Sequence, residues 1–318
     1  MSIFKLDPAF KDYIWGGTRL RDEYGKKCDY DKVAESWELS CHKDGPSVVA
    51  DGEYKGLTLN EYIEKAGKGV LGKNCERFEN FPILIKLIDA KDNLSVQVHP
   101  DNDYAMRVEG EYGKTEMWYV VDCDEGATLL YGFKHEITKE EFARRIADNT
   151  LLEVTNAVPV KKGDVFFIKS GTLHAIGKGI LIAEIQQNSN TTYRIYDYGR
   201  VGKDRKPREL HVNKTLDVTK LAPAEQYPET PVEKKDGYDI KLLSKCEYFT
   251  TYRVNVETKA ELDADENSFN SILVLEGEPV ISGGETVSAK KGESVFISAG
   301  TGKYTVEGKC TFVLTKID

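Results

Sequence analysis

Four side chains able to bind a divalent metal lie in three short stretches of the sequence. Gln97 and His99 occur in Leu94-Ser-Val-Gln-Val-His-Pro100, Glu116 in Gly113-Lys-Thr-Glu-Met-Trp118, and His174 in Gly171-Thr-Leu-His-Ala175. Gln97 and His99 are two apart on a strand-like run, so they project from one face. Pro100 ends that strand. Glu116 opens the β-rich run Met117-Trp-Tyr-Val-Val121, and His174 follows a turn at Ser170-Gly171. Two imidazole nitrogens with a carboxylate and an amide oxygen make a mixed N/O site. It suits zinc and also admits manganese, iron or cobalt. Spacing by itself does not make these residues a site. An isolated His on an apolar strand is more often a hydrogen-bonded core residue, and a Glu at a strand start is usually solvated.

The elements that must position these groups are mostly strands. Phe81–Ile88, Leu94–Val98, Glu116–Asp122, Val165–Ile168, Ile180–Ile185, Tyr248–Val256, Ser271–Leu275, Val295–Ile297 and Thr311–Thr315 are mostly rich in Val, Ile, Phe and Tyr, and most are separated by Gly, Pro, Asn or Asp. Short strands at this spacing predict antiparallel sheets in a barrel or sandwich. Helical signals are few. Thr138–Ala147 opens with a capping box, Thr138 followed by Glu141, and carries Phe142 and Ile146 at i, i+4; Thr58–Lys65 is a second case. Both are expected as surface helices on a β body.

The stretch 222–235, rich in Pro and charge and without periodicity, reads as a linker. It divides the chain into a catalytic, metal-binding domain over 1–221 and a C-terminal β domain over 236–318. An internal repeat bears on both parts. Val160-Lys-Lys-Gly-Asp-Val-Phe-Phe-Ile-Lys-Ser-Gly-Thr-Leu-His174 aligns without a gap with Ala289-Lys-Lys-Gly-Glu-Ser-Val-Phe-Ile-Ser-Ala-Gly-Thr-Gly-Lys303. Two copies of one supersecondary unit predict two barrels of the same kind. Lys303 stands where the first copy has His174, and no His follows the linker. The second barrel is therefore expected to keep the shape and lack the metal.

Bulk composition narrows the function classes. A net charge of −9 argues against a nucleic-acid groove and an anionic membrane surface, while a local Lys/Arg cluster still admits a small anion. Six scattered cysteines with no C-x-x-C pair read as reduced thiols in a cytoplasmic protein. Met1-Ser-Ile-Phe-Lys5 has no apolar stretch of the kind a secretory signal needs, and the apolar runs are too short for a membrane span.

Gly163-Asp-Val-Phe-Phe-Ile-Lys-Ser-Gly-Thr-Leu-His174 resembles the second cupin motif, G-D-x-x-x-x-P-x-G-x-x-H, with Lys169 in place of Pro. The Gln97-Val-His-Pro100 and Gly113–Trp118 runs, Gly171-Thr-Leu-His-Ala-Ile-Gly-Lys-Gly179 and Glu184-Ile-Gln-Gln-Asn-Ser-Asn-Thr-Thr-Tyr-Arg194 together resemble class I mannose-6-phosphate isomerase (phosphomannose isomerase) in its short bacterial form, within the cupin superfamily. Tyr13-Ile-Trp-Gly-Gly17 and Ala34-Glu-Ser-Trp-Glu-Leu39 resemble it as well. The match runs from residue 13 to about 200 in order and is weaker after the linker. The resemblance implies an all-β fold of two cupin-like, jelly-roll β-barrels with a few short surface helices. It implies one Zn2+ per chain held by Gln97, His99, Glu116 and His174. It places Lys114, Arg194, Glu184 and Lys86 in the pocket, and it implies a sugar phosphate as substrate. Some members carry His where this chain has Gly113, so a role given to that His does not transfer. A monomer or weak homo-oligomer is expected.

Aldose–ketose isomerisation moves a proton between C2 and C1 through a cis-enediol. It needs a base of tuned pKa over those carbons and positive charge near the two oxygens. A phosphate anchor lets remote binding energy position the reacting end. Lys86 interrupts the apolar run Ile83–Ile88, which is costly without a partner or a wet pocket; the alternative is an edge strand with the lysine in solvent. Lys114 precedes a strand and ordinarily would be a surface residue; placed in the pocket by the resemblance alone, it either holds phosphate or transfers a proton. Glu184 ends the apolar run Ile180–Ala183 and is either a solvated acid or a group for proton transfer or hydroxyl binding. Arg194, among Tyr193 to Tyr198, is either a stacked surface Arg or a planar clamp on phosphate or enediolate charge. The proton-transfer residue stays open among Lys86, Lys114 and Glu184. Two rival functions share the scaffold: another metal-dependent cupin enzyme of oxygenase type, and a non-catalytic sugar-phosphate-binding cupin. His42, His135 and His211 lie in polar loop-like or helix-start settings and receive no role.

Overall fold

The computed structural model describes residues 2–202 and 205–318. It is mostly β, with strands in four sheets, and none of the four strand orders closes on itself among the described residues. Every strand expected from its composition is present. Boundaries shift a little: the run expected at 81–88 forms Ile83–Ala90, because Pro82 has no N–H to donate to a ladder.

Two sheets carry the metal-ligand candidates. A six-stranded sheet runs Val165–Ile168, Glu116–Cys123, Ile180–Gln187, Ile83–Ala90, Glu35–Leu39, Ala9–Lys11, antiparallel throughout. A five-stranded sheet runs Tyr193–Tyr196, Val96–Val98, His174–Ala175, Thr128–Phe133, Thr155–Pro159, also antiparallel. Ile83–Ala90 is buried at every position because both faces of its sheet are covered. One face (Ile83, Ile85 and Leu87 with Met117 and Ile185) enters the large apolar core. The other packs Ile88, Trp118 and Ile182 against Leu129, Tyr131 and Ile176 at the five-stranded sheet.

The remaining two sheets hold most of the C-terminal part. The eight-stranded sheet takes in Ser294–Ile297 and also the N-terminal strand Ile3–Asp7, paired in register Ile3↔Ile297 to Leu6↔Ser294. The sequence repeat has a backbone counterpart. Val165–Ile168 and Ser294–Ile297 are strands at equivalent repeat positions. The glycines before and after them have positive φ in both copies: Gly163 (+92°) and Gly171 (+86°), Gly292 (+87°) and Gly300 (+77°). Only glycine adopts such angles without strain, so the shared glycines encode the shared turns. Lys303, at the position of His174, is exposed and pairs with Asp263.

The stretch expected as a linker is docked rather than free. Pro223 bridges Gly132, Glu225 O lies 2.9 Å from Tyr131 Oη, the Tyr227 ring is 5.2 Å from Phe167, and Val232–Lys235 is an edge strand. An aromatic seam joins chain segments far apart in sequence. Phe296 stacks on Phe4 (5.4 Å) and Phe269 (5.2 Å), and Tyr62 meets Phe4 edge-on at 4.8 Å. Phe296→Ala is expected to destabilise the whole chain by about 3–5 kcal/mol in urea unfolding. A loss under about 1 kcal/mol would show that the seam does not hold these segments together.

Both expected helices form. Thr58 caps Leu59–Ala66 with a complete capping box, and Leu59, Tyr62 and Ile63 face the core. Thr138 caps Lys139–Ala147, but the box is half made: Glu141 accepts from Arg145 Nε at 3.0 Å instead of reaching back to the Thr138 N–H. The i, i+4 ion pair outcompetes the return bond. The short helices Arg19–Asp22, Asn102–Val108 and Val212–Val218 give no periodic signal of their own. No helix among the described residues is long and apolar enough to cross a membrane.

Candidate active site

Two cross-strand rows bring the chemistry together. In the five-stranded sheet, Arg194 pairs with Gln97, Gln97 with His174, and His174 with Tyr131. In the six-stranded sheet, Trp118 pairs with Glu184, Glu184 with Lys86, and Lys86 with Trp37. Directly paired residues share a face. The row with Lys86 and Glu184 therefore presents its polar groups together, toward the sheet that holds Gln97 and His174. His99 and Glu116 are each two residues from a row member and join the same face.

His99, Glu116 and His174 are all buried, and their ligand atoms lie within 4.8 Å of one another. The imidazole protons are assigned by their partners. His99 Nδ1 lies 2.9 Å from Thr191 O and His174 Nδ1 2.8 Å from Thr172 O. A carbonyl only accepts, so each Nδ1 carries the proton and each Nε2 presents a lone pair. The two Nε2 atoms are 3.1 Å apart, and the Glu116 oxygens lie 3.6 Å from His99 Nε2 and 3.4 Å from His174 Nε2. Neither Glu116 oxygen has a hydrogen bond of good geometry, although Lys114 Nζ stands 2.6 Å from Oε2.

Acceptors packed against acceptors in a buried site call for positive charge, and Lys114 Nζ, 3.2 Å from His99 Nε2, supplies only part of it. Donors at about 2.0–2.2 Å from a tetrahedral ion stand roughly 3.3–3.6 Å apart, close to the spacings found. The Gln97 amide is 3.4 Å from His174 Nε2 through its nitrogen. Turning the amide over puts Oε1 there and supplies a fourth donor. The residues present fit a divalent ion. Their second contacts, Nδ1–H to backbone carbonyls, are those that orient imidazole ligands.

Burial also decides the protonation of these groups. It pushes His174 down to about 4, and burial beside Lys114 holds His99 well below the ordinary imidazole range, so both rings stay neutral at pH 7. Burial and the nearby Glu184 charge push Glu116 up, against the pull of Lys114. A bound cation reverses that pressure.

Next to the cluster lies a buried charge array. Lys86 Nζ is 3.3 Å from Glu184 Oε1 and 3.6 Å from Glu35 Oε2; Lys114 Nζ is 3.7 Å from Glu184 Oε1. Trp118 Nε1–H donates to Glu184 Oε2 at 2.9 Å, and Trp37 Nε1–H to Glu35 Oε2 at 2.7 Å. Burial opposes both charges, yet Lys114 and Lys86 hold Glu184 below the ordinary carboxylate value, and Glu35 and Glu184 hold the Lys86 proton on. Lys86 is thus not an edge-strand lysine in solvent: it is 3% exposed on an inner strand. Lys114 and Glu184 are also buried, not the surface residues their sequence settings alone suggest.

A cavity of about 270 Å³ opens between the sheets, lined in part by Lys86, Gln97, Lys114, Glu184, Arg194 and Arg208. Arg194 donates from Nη1 to Glu209 O at 2.9 Å, while its buried Nε has no partner. Arg208 forks onto Asp197 with Nε–H and Nη2–H at 2.7 and 2.5 Å, and Arg200 Nη2 donates to the same carboxylate at 2.5 Å. Burial and the Arg208 charge both make the Arg194 proton easier to lose than in an ordinary guanidinium.

The chain matches the phosphomannose isomerase type I catalytic domain over residues 3–126 and the mannose-6-phosphate isomerase cupin domain over 239–317. It is 39% identical to a mannose-6-phosphate isomerase of Bacillus subtilis (strain 168) over 98% of this chain and 97% of that one. It is 39% identical to that of Streptococcus mutans over 89% of this chain and 88% of that one. The chain belongs to the mannose-6-phosphate isomerase family. The crystal structure of the Bacillus subtilis mannose 6-phosphate isomerase superposes with a TM-score of 0.93 at 38% identity over 99% of each chain. A phosphomannose isomerase variant from Salmonella typhimurium shares the fold at a TM-score of 0.81 and 16% identity, over all of both chains.

The chain is thus an enzyme of a phosphomannose isomerase family, mostly β and with a cupin domain. Four groups in or supporting the site escaped the sequence reading. Glu35 and Trp118 sit inside stretches quoted for the family resemblance, Arg208 lies in a charged loop, and Glu111 precedes the Lys114–Glu116 pair. The alternation Glu35-Ser-Trp37 was the available signal for the first. Gly113 also departs from members with His: a Cβ there would lie 2.4 Å from the Asp101 carbonyl carbon.

Proposed function

We propose that the chain is a zinc-dependent aldose–ketose isomerase that interconverts mannose 6-phosphate and fructose 6-phosphate through a cis-enediol. The observation that carries this is the convergence of the buried His99, His174 and Glu116 ligand atoms within 4.8 Å of one another, with both Glu116 oxygens lacking a hydrogen bond of good geometry, directly beside the Lys86–Glu184–Lys114 array. Zinc held there by Gln97, His99, Glu116 and His174 supplies Lewis-acid charge to the sugar oxygens or a template for them.

The chain's own residues do the rest. Glu184 keeps Oε2 on the Trp118 N–H and leaves Oε1 without a hydrogen bond of good geometry, facing the two ammonium groups. The ionised Glu184 carboxylate is the group able to accept a proton here, because Lys86 keeps its own. Glu184 takes the proton from one carbon and returns it to the other, while a second proton passes between the two sugar oxygens as carbonyl and hydroxyl exchange places. Lys86 and Lys114 steady the charge on Glu184 and donate to the sugar oxygens. Arg194 and Arg208 hold the phosphate at the far end of the cavity, Arg194 through its unpartnered Nε–H. The sheets between them exclude water and fix the spacing.

We also read the paired sheets as two jelly-roll units. Residues 1–221 carry the site, 222–235 join the units, and 236–318 support them. The repeated turn glycines support that reading, and six unpaired cysteines support a cytoplasmic setting. A monomer or weak homo-oligomer fits one complete site per chain.

The test is a coupled assay of the purified chain with mannose 6-phosphate, alongside metal analysis. Turnover that a chelator abolishes and zinc restores is the expected result. A fully loaded protein that binds the sugar phosphate without turnover would be a sensor, and oxygen consumption would mark an oxygenase.

A further inference from the structure

We propose that Glu111 is a positioning residue for the metal cluster, acting on His99 through the loop Ser189–Thr191. Glu111 lies outside the cluster, between the helix Asn102–Val108 and Lys114. Its carboxylate gathers an unusual number of donors. Oε2 accepts from Ser189 Oγ at 3.2 Å, Asn190 N at 3.2 Å and Thr191 Oγ1 at 2.9 Å; Oε1 faces His42 Nε2 at 3.0 Å. His42 is itself fixed: its Nδ1 accepts from Asp44 N at 3.1 Å, so its Nε2 carries the proton donated to Glu111.

Three consecutive residues are thus tied to one carboxylate oxygen, and the third of them supplies the carbonyl that accepts from His99 Nδ1 at 2.9 Å. That bond fixes both the tautomer and the plane of the His99 ring, and with them the direction of the Nε2 lone pair. The backbone is held on either side of Thr191, where Ser189 N–H donates to Gln187 O at 2.8 Å and Tyr193 pairs with Val98. Gln186 Nε2–H donates to Ser189 O at 2.6 Å, and Asn190 Nδ2–H donates to Asp44 Oδ2 at 2.9 Å. Neither of these touches Thr191. Without Glu111, Thr191 keeps the Ser189 Oγ bond to its N–H and the His99 bond to its carbonyl, and its side chain no longer holds that carbonyl toward His99. The same loop carries Asn190 and Thr192 into the cavity wall, so its displacement also loosens the sugar end.

The inference rests on reading His99, Glu116 and His174 as a metal site. Glu111→Ala and Glu111→Gln are compared with the unaltered chain by titrating zinc against a chelator of known affinity, with near-UV circular dichroism as the check on folding. Loss of a contact that orients a ligand costs metal affinity roughly 10–100-fold. Both variants are expected to fall in that range, with Glu111→Gln the milder because its amide oxygen still accepts from Thr191. Folded variants that bind zinc as tightly as the unaltered chain overturn the proposal. Failure of the unaltered chain to bind zinc overturns the metal reading instead. Should Glu111→Ala not fold, His42→Asn replaces the imidazole donor to Oε1 and Thr191→Val removes one of the three donors to Oε2, the one on the residue that carries the His99 acceptor. A tenfold loss in zinc affinity in Thr191→Val, larger than in His42→Asn, is then the expected order, and equal affinity in both overturns the proposal. A merely structural role would lower the unfolding midpoint of the metal-free chain without moving its zinc affinity.

Discussion

His174→Ala is expected to leave the purified chain without stoichiometric metal and to lower kcat/KM about 10²–10⁴-fold. The reason lies in the counted lone pairs. His174 is fully buried at the centre of its row, 3.1 Å from His99 Nε2, 3.4 Å from a Glu116 oxygen and 3.4 Å from the Gln97 amide. Removing it takes out the one group adjacent to all three other candidate ligands. Lewis-acid stabilisation is worth several kcal/mol, and each ~1.4 kcal/mol is tenfold in rate, which gives the range stated. Thermal unfolding supplies a second readout, since a ligand that binds only the folded chain raises its midpoint with concentration. The unaltered chain should respond to added zinc and His174→Ala should not. A variant that keeps its metal and turns over within tenfold of the original would end the assignment of the site.

The burial of these rings also predicts how pH acts on the metal-free chain. His174 is pushed down to about 4 in the folded state, against an unfolded value of about 6.5. Between those values the unfolded chain binds the extra proton, so stability is full above the unfolded value and is lost as pH falls toward 4. Glu111, held down to about 2 by His42 and the loop donors, acts in the same direction at lower pH. Its contribution is present above about 4.5 and drains away as pH drops toward 2.

Much of the fold was legible because apolar β-runs are a strong local signal. Ile180–Gln187 and Glu116–Cys123 announce themselves through composition. The strands that were missed lack that signal. Glu35–Leu39 is half polar yet wholly buried, since its polar side chains bond one another: Trp37 to Glu35 and Ser36 to Glu38. Ile3–Asp7 is stabilised by a partner almost the whole chain away, and local sequence carries no trace of that pairing. The site divides in the same way. Gln97, His99, Glu116 and His174 could be nominated from type and motif. What made Lys86 a buried group is the register that sets it opposite Glu184 and beside Glu35, and register is a tertiary fact. Glu111 and His42 were invisible for the reverse reason: each is an ordinary polar loop residue until the loop 189–191 folds over it.

Glu184→Gln separates the proton-transfer role from the structural one. Removing one member of a buried ion pair commonly costs about 3–5 kcal/mol, because its partner stays buried and uncompensated. Here each lysine keeps another acid: Lys86 has Glu35 at 3.6 Å and Lys114 has Glu116 at 2.6 Å. The amide also still accepts from Trp118. The loss of stability should therefore fall below that range, while loss of a general base lowers kcat about 10²–10⁴-fold. The pH profile gives the sign. Lys114 and Lys86 outweigh burial and hold Glu184 below its ordinary value of 4.5, so in the unaltered enzyme the acid limb that reports its protonation lies below pH 4.5. Its stabilising contribution is likewise complete above that pH and declines below it. In deuterated water, deuterium uptake at the sugar carbon should fall with turnover in Glu184→Gln. Uptake at the original rate would move the base to another group. A matching Lys114→Met variant then decides, because Lys114 is the remaining candidate within 4 Å of both Glu184 and the candidate metal ligand Glu116.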